Sequence, residues 1–343
     1  MYTQPQNGYP HYYYPPTPMA PSPDQQRRKK LRSDGNYLGF IMLLLVLTMQ
    51  FTFSVVALLL VTLGILPPES LRLDDFGLNN TDFLLLYAGI YAFSMGAPAL
   101  VASAFCRRMS NPFSPAKPVA GGILFLGTLS AVGLCMVANI VTNIFTSYLY
   151  EMGLPVPEFP QFLEPTWTSF GMNIFVFAVL PALLEEMVFR GFVLRTLRPY
   201  GDMFAVFVSA FLFGLMHGNI EQVPFALIVG ILLGWLYVAT DNIWVPVLIH
   251  FINNALSVCM EFLGFNLSDT GLAVFYTIAI YGLAALGIVA FCILLACYFR
   301  KLQPKNKETV LSVGQRTGAL LTAPAFLIAV SIFVLLLIWG MMA

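Results

Sequence analysis

The sequence predicts an all-α, polytopic membrane helix bundle with about eight or nine transmembrane helices. Two observations predict this class. Only 10% of the 343 residues are charged and 58% are hydrophobic, whereas soluble domains carry roughly 25% charged residues. Apolar runs of about 20 residues, the length that crosses a bilayer, also recur along the chain. The formal net charge of zero comes without a basic stripe, so we expect no nucleic-acid partner.

The N-terminal segment differs in composition from the rest of the chain. It is rich in Pro and Tyr and ends in a basic cluster between Arg27 and Arg32. Such a composition buries too little apolar surface to fold. We therefore predict a disordered, basic cytoplasmic tail over residues 1–34 and a polytopic membrane domain over residues 35–343.

Apolar segments that follow the tail are candidate membrane spans. In order, they are Tyr37–Leu66, Phe83–Cys106, Val119–Leu149, Trp167–Leu197, Met203–His217, Val223–Ala239, Ile243–Leu263, Leu272–Phe299 and Leu320–Met342. The fifth is short for a span, which leaves the count at eight or nine.

Charges in the connecting loops predict the orientation, because Lys and Arg concentrate in short cytoplasmic loops. The loop Pro67–Thr81 carries mainly acids, and Glu151–Thr166 carries three acids and no base. Basic residues mark the N-terminal tail, the loop after the second span and the segment from Arg300 to Arg316. We therefore expect a cytoplasmic N-terminus and, with nine alternating spans, an external C-terminus.

The fourth span contains ionisable residues, and their presence within the membrane requires an explanation. Glu185, Glu186 and Arg190 lie in an otherwise apolar run, and each charge at the bilayer centre costs roughly 2.5–3.5 kcal/mol. Residues at i and i+4 share a helix face, so Glu186 can pair with Arg190. Glu185 points elsewhere and is a candidate base facing a cavity.

Two further polar pairs lie in later spans at the same helical spacing. Phe213 precedes His217 by one turn, and His250 precedes Asn254 by one turn. From a rise of 1.5 Å per residue, Glu185 and His217 lie roughly 20 Å, and His250 roughly 10 Å, from the inner helix ends. If the helices are neighbours, we expect these side chains to meet in the cytoplasmic half. A structural ion pair and interhelical hydrogen bonds are the alternative interpretation.

At these residues the sequence resembles the CPBP family, which comprises the CAAX proteases and bacteriocin-processing (Abi) enzymes and includes prenyl-protein endopeptidases of the Ras-converting type. The family motifs EExxxR, FxxxH and Hxxx(N/B) occur in order. They are matched by Glu185, Glu186, Arg190, Phe213, His217, His250 and Asn254. The resemblance covers about residues 167–263, which would be the protease core, with its active site within the helix bundle.

The resemblance implies an intramembrane endopeptidase that acts on a membrane-associated or prenyl/CAAX-like protein or peptide. Glu185 and His217 would activate a water, and His250 and Asn254 would donate to the oxyanion. Glu186 would support the site and take part in catalysis. Arg190 and Phe213 would be structural supports.

The metal requirement and two other functions stay open at this point. Glu185, His217 and His250 could hold a catalytic zinc with water in the fourth position, or they could serve a metal-independent glutamate protease. The alternatives are a multispanning transporter, whose ionisable residues would line a path, and a non-catalytic immunity or scaffold protein on the same fold. The expected partners are the lipid bilayer and a protein or peptide substrate, in a bacterial plasma membrane.

Overall fold

The computed structural model describes residues 21–73, 75–105, 111–154 and 164–342, and within these ranges it contains helices and no β-strand. The all-α class is therefore confirmed. The helices are α1 Pro23–Thr62, α2 Asn80–Phe105, α3 Gly121–Glu151, α4 Trp167–Tyr200, α5 Asp202–Met216, α6 Gln222–Thr240, α7 Trp244–Gly264, α8 Asp269–Leu302, α9 Val313–Leu321 and α10 Pro324–Gly340. A short 3₁₀ turn, Pro68–Arg72, lies between α1 and α2.

Seven helices in the described ranges are long and apolar enough to cross a membrane, namely α1 to α4 and α6 to α8. Helices α9 and α10 meet at an angle of 81° and would make an eighth span if counted together. Helix α5 has only 15 residues, about 22 Å of rise against a hydrocarbon core of about 30 Å. The chain is an integral membrane protein with seven such helices in the described ranges, or eight if α9 and α10 form one span. The shortness of α5 explains why the fifth of the nine predicted segments is not among them.

The predicted boundary of the disordered tail requires a correction. Helix α1 begins at Pro23, so residues 23–34 are helical. Two contacts with distant parts of the chain explain this. The Nε of Arg27 donates to Oε2 of Glu308 at 3.0 Å, and the guanidinium lies 4.8 Å from the ring centre of Tyr200. Residues 1–20 lie outside the described ranges, so their disorder stays a prediction.

Connecting segments with basic residues meet at one end of the bundle, around Asp241. Its carboxylate pairs with Lys117 at 2.9 Å, with Arg198 at 2.7 Å and with Lys305 at 3.0 Å. These cations come from the segments before α3, at the end of α4 and after α8. The loops that the charge pattern assigns to one side of the membrane therefore lie together. We call Asp241 and its partners Lys117, Arg198 and Lys305 the ionic cluster.

Close helix contacts are made possible by glycine at a few positions. Gly133 on α3 faces Gly287 on α8, and a Cβ on either residue would overlap the backbone of the other. Gly39 on α1 likewise packs directly on the backbone of Ala325 and Phe326 at the start of α10. Small residues at such crossings let membrane helices pack closely. The helix pairs α3–α8 and α1–α10 flank the central helices α4 to α7.

We predict that Asp241→Asn destabilises the protein by about 2 kcal/mol, because the largely buried Arg198 loses one of its two carboxylate partners. Lys117 and Lys305 are exposed and add little. Asn tolerates the left-handed backbone at this position (φ 51°), so the backbone itself is not strained. The measurement is the midpoint of thermal unfolding in detergent at neutral pH. Asp24→Asn, which removes an exposed pair with Arg28, is the control and should leave the midpoint nearly unchanged, because exposed ion pairs contribute little.

The stabilisation that Asp241 provides depends on pH. Burial alone would raise the pKa of Asp241, but hydrogen bonds from Lys117, Arg198 and Lys305 outweigh it and hold the pKa below its usual 3.8. The stabilisation is therefore fully present above pH 3.8 and is lost as the pH falls through the lower folded-state pKa. Equal midpoints for the wild type and Asp241→Asn at neutral pH would contradict this account.

Candidate active site

Helix α4 carries both glutamates beside a break in its regular hydrogen bonding. The α-helical turn Leu180–Glu186 lies between two π-helical stretches, Ile174–Val179 and Met187–Leu194. A π-helical turn widens the helix, and such turns are frequent at functional sites. The two carboxylates thus project from the point where the helix geometry changes.

The predicted pair between Glu186 and Arg190 is present and completely buried. Arg190 Nη1 donates to Glu186 Oε1 at 2.8 Å, and both side chains have zero exposure. The second terminal nitrogen of Arg190 donates to the carbonyl of Gly230 on α6 at 3.1 Å. Its guanidinium lies 4.8 Å from the ring centre of Phe213 on α5. The Arg190 side chain therefore connects α4 to two neighbouring helices.

His250 brings α7 into the same group. Its Nδ1 lies 2.9 Å from Glu186 Oε1, and because a carboxylate only accepts, this nitrogen carries the proton. The other ring nitrogen, Nε2, lies 3.8 Å from Glu185 Oε2. Glu186 thus has a second partner that helical spacing within α4 did not predict. Its Oε2 is buried and has no hydrogen-bond partner among the described residues.

Glu185 is also held, by a residue that the sequence analysis missed. The hydroxyl of Tyr91 on α2 donates to Glu185 Oε1 at 2.5 Å. The ring of Tyr87, one turn earlier, stacks on Tyr91 with centres 6.2 Å apart. The sequence did contain a signal for this contact. Tyr87 and Tyr91 place two hydroxyl groups at i and i+4 in an apolar span, and a buried Tyr hydroxyl usually finds a hydrogen-bond partner.

His217 follows directly after the last residue of α5 and has a defined proton position. Its Nδ1 lies 2.8 Å from the carbonyl oxygen of Phe213, which can only accept, so Nδ1 donates and Nε2 of the neutral ring accepts. The ring of Phe213 packs edge to face against both histidines, at 4.9 Å from His217 and 6.1 Å from His250. Phe213 therefore touches both imidazoles.

Asn254 is oriented by hydrogen bonds on both sides of its amide. Its Nδ2 donates to the carbonyl of Phe177, in the first π-helical stretch, at 3.0 Å. Asn253 donates to Asn254 Oδ1 at 3.1 Å. The amide is thus fixed with one N–H still available. Asn253, which the sequence analysis did not single out, provides one of the two bonds that set this orientation.

These side chains share one cavity of about 630 Å³, which we call the central cavity. Glu185, His217, His250 and Asn254 all line it, so the predicted convergence is present. Glu186 and Arg190 lie behind its wall. Polar residues of α3 and of the start of α6 complete the lining: Asn139, Thr142, Asn143, Thr146 and Gln222.

The central cavity lies toward the end of the bundle opposite the ionic cluster. It extends to Glu221 and Gln222, at the start of α6, whereas the ionic cluster lies at the end of α6, next to Thr240. If the ionic cluster is cytoplasmic, as predicted, the cavity lies in the middle and outer parts of the membrane rather than in the cytoplasmic half. The reason is that roughly 20 Å of rise from the inner end already passes the midplane of a core about 30 Å thick.

The zinc set suggested by the sequence does not assemble into a metal site. In the parts of the chain that the structure describes, no three His, Cys, Asp or Glu side chains are close enough to hold one ion. Glu185, His217 and His250 therefore do not fit a preformed three-donor zinc centre.

Comparison with known proteins agrees with this geometry. Residues 167–256 match the family model described as type II CAAX prenyl endopeptidase Rce1-like. The predicted resemblance to CAAX-type membrane proteases is confirmed. The matched segment contains every motif residue from Glu185 to Asn254, whereas Tyr91 and the polar wall of α3 lie outside it.

Two curated relatives are similar over a limited length. One is "Putative membrane peptidase YdiL" of Bacillus subtilis, 23% identical over 141 residues, or 41% of this chain. The other is "Membrane-embedded CAAX protease MroQ" of Staphylococcus aureus, 27% identical over 142 residues, or 39% of this chain. The alignment covers 57% of the length of each relative. No solved structure matches the chain significantly. Together, the family model and the names of these relatives support the assignment of the chain to a CAAX-type membrane protease family.

We predict that Arg190→Gln destabilises the protein by about 3–5 kcal/mol, because it leaves the Glu186 carboxylate buried without its cation. The measurement is again the unfolding midpoint in detergent. Arg28→Gln is a matched control, since Arg28 pairs with Asp24 at the same helical spacing but with side chains 45% and 35% exposed. It should cost less than about 0.5 kcal/mol. Similar losses in the two variants would contradict a structural role for the buried pair.

Proposed function

We propose that this chain is an intramembrane endopeptidase that hydrolyses a peptide bond in a membrane-associated protein or peptide. The observation that carries the proposal is the convergence of Glu185, His217, His250 and Asn254 on the central cavity. A carboxylate, two imidazoles and an amide provide a base and oxyanion donors within one apolar bundle. The names of the two relatives, a membrane peptidase and a CAAX protease, support the same class.

Activation of water would rest on Glu185 and His217. Tyr91 occupies one oxygen of Glu185, which leaves Oε2 as the acceptor toward the cavity. His217 presents an unprotonated Nε2 because its proton is on Nδ1. A water bonded to both would lose a proton to Glu185 as its oxygen attacks the peptide carbonyl carbon, and the C=O electron pair would move to the oxygen. As the oxyanion re-forms the C=O bond, the C–N bond would break and Glu185 would return the proton to the leaving amine.

Stabilisation of the oxyanion would rest on Asn254 and His250. One N–H of Asn254 is used by the carbonyl of Phe177, and the second remains for the developing negative charge. His250 donates Nδ1–H to Glu186, and as an imidazolium it would also donate Nε2–H into the cavity. Fixed donors of this kind act most strongly where water is excluded.

No step of this mechanism passes through a metal ion, because the donor side chains do not group as a three-ligand site. We therefore propose a metal-independent glutamate protease. Glu186 and Arg190 position the catalytic groups, and Phe213 packs between the two histidines.

The substrate class that fits best is a peptide carried into the membrane by an apolar or lipid-modified segment, such as a prenylated CAAX-like terminus. The central cavity lies among membrane helices, so an extended peptide must reach it from the bilayer or from the end next to Glu221. The side-chain amides of Asn139 and Asn143 on α3 line the cavity and can bond to a peptide backbone. We place the protein in a bacterial plasma membrane with the ionic cluster and the N-terminus in the cytoplasm, supported by the loop charges and the bacterial relatives.

We predict that Glu185→Gln and His217→Gln each lower the cleavage rate by at least about 10²-fold, with little change in the unfolding midpoint. The assay uses purified protein in lipid nanodiscs and an internally quenched peptide that ends in a farnesylated CAAX sequence, next to the same peptide without the prenyl group. Glu261→Gln is the control, because Glu261 lies on α7 but does not line the central cavity. It should cleave at the wild-type rate.

The same assay separates the parts of the proposal. Cleavage by either variant at the wild-type rate would disprove the assigned mechanism, and equal cleavage of the two peptides would disprove prenyl recognition. Loss of activity with 1,10-phenanthroline, restored by zinc, would replace the metal-independent mechanism by a zinc-dependent one. Substrate uptake into liposomes without cleavage would favour the transporter alternative.

We also predict that Tyr91→Phe lowers kcat by about 10- to 100-fold with little change in KM. The variant loses a hydrogen bond to a charged group, which contributes about 1.5–3 kcal/mol, and frees the Glu185 carboxylate to rotate. Tyr87→Phe is the matched control, because Tyr87 stacks on Tyr91 but its hydroxyl forms no hydrogen bond with Glu185. If both variants show the same kcat, Tyr91 has no positioning role.

A further inference from the structure

A second cavity, of about 830 Å³, lies at the end of the bundle that carries the ionic cluster. Its walls are α5, α9 and the segment between α8 and α9, and none of its lining residues lines the central cavity. We call it the basal cavity. Its size lies within the range of ligand-binding pockets, about 300–1,000 Å³.

One wall of the basal cavity is an apolar face. Phe204, Phe207 and Phe211 lie at i, i+3 and i+7 on α5 and all line the cavity, so they form one stripe along the helix. Phe207 is 53% exposed and Phe211 is 44% exposed. Leu321 at the end of α9, 50% exposed, lines the cavity as well. This stripe starts near the ionic cluster and runs toward the membrane interior.

The mouth of the basal cavity carries positive charge without a balancing carboxylate. Lys307 and Arg316 line the basal cavity, and neither side chain forms an ion pair with a residue in the described ranges. Arg316 instead donates to two carbonyl oxygens, of Tyr200 at 2.7 Å and of Ser312 at 3.4 Å. Its guanidinium lies 5.0 Å from the ring centre of Phe204, where the charge meets the apolar stripe.

The acids that line the same cavity are already engaged. Asp202 is fully buried and accepts from Arg198 at 2.9 Å and from the backbone N–H of Lys305 and Asn306, also at 2.9 Å. Glu308 pairs with Arg27 at 3.0 Å. Two cations of the mouth therefore have no acidic partner, and the charge of the cavity is complementary to an anion.

We propose that the basal cavity binds one anionic phospholipid. Its phosphate would bond to Arg316 and Lys307, and an acyl chain would lie along the phenylalanine stripe of α5. Guanidinium groups bind phosphate with directed, charge-assisted hydrogen bonds, and basic pockets between membrane helices are typical headgroup sites. A zwitterionic headgroup would bring an ammonium for which the cavity offers no free carboxylate. This proposal does not depend on the peptidase activity.

The test measures the unfolding midpoint of the full chain in nanodiscs of phosphatidylcholine, with and without phosphatidylglycerol. We expect phosphatidylglycerol to raise the wild-type midpoint, and we expect the double variant Lys307→Gln/Arg316→Gln to lose at least half of that rise. The double variant Lys29→Gln/Lys30→Gln is the matched control. It removes the same charge from exposed positions on α1 and should keep the full rise.

Arg316 also bonds to the backbone, so its replacement could lower the midpoint by itself. Lys307→Gln alone avoids this, because Lys307 is exposed, and it should still reduce the rise caused by phosphatidylglycerol. The proposal is overturned if Lys307→Gln and the double variant both keep the wild-type rise, or if the Lys29/Lys30 control loses as much. It is also overturned if inorganic phosphate in pure phosphatidylcholine gives the same rise, since the ligand would then be free phosphate.

Discussion

The buried carboxylate of Glu186 is the point at which four membrane helices are joined. It accepts hydrogen bonds from Arg190 on its own helix and from His250 on α7. Arg190 in turn donates to the carbonyl of Gly230 on α6 and lies over the ring of Phe213 on α5. A charge that deep cannot be solvated by water, so each partner must come from protein. The arrangement of α4 to α7 around this carboxylate determines where the other polar groups can lie.

The surroundings of Glu185 are formed by the central helices together with the outer helices α2 and α3. The central helices place its second oxygen near His250, in the same cavity as His217. Helix α2 adds Tyr91, whose hydroxyl holds the other oxygen, and α3 adds a wall of polar side chains. The segment that matches the family model therefore carries the motif residues. The geometry of the proposed base also depends on helices outside that segment.

Much of the architecture was predictable because it follows from patterns within single helices. Eight of the nine predicted apolar segments correspond to one helix each in the described ranges, and the ninth, Leu320–Met342, is divided between the end of α9 and α10. The spacing of Glu186 and Arg190 predicts the pair that the structure contains. The His–Asn and Phe–His spacings likewise place candidate site residues on shared faces. Composition and periodicity are local properties, and a membrane helix satisfies its backbone hydrogen bonds by itself. For this reason the sequence alone determines the helices and most of their polar faces.

The tertiary structure decided which faces meet. The bonds from Tyr91 to Glu185 and from His250 to Glu186 join residues far apart in the chain, and so does the contact of Arg27 with Glu308 that extends α1 into the predicted tail. No spacing within one helix encodes such contacts, because they depend on how each helix is rotated and packed against its neighbours. The same packing decided that the central cavity extends away from the ionic cluster. The sequence determined the helices and their candidate residues, and only the packing of the helices made them one site.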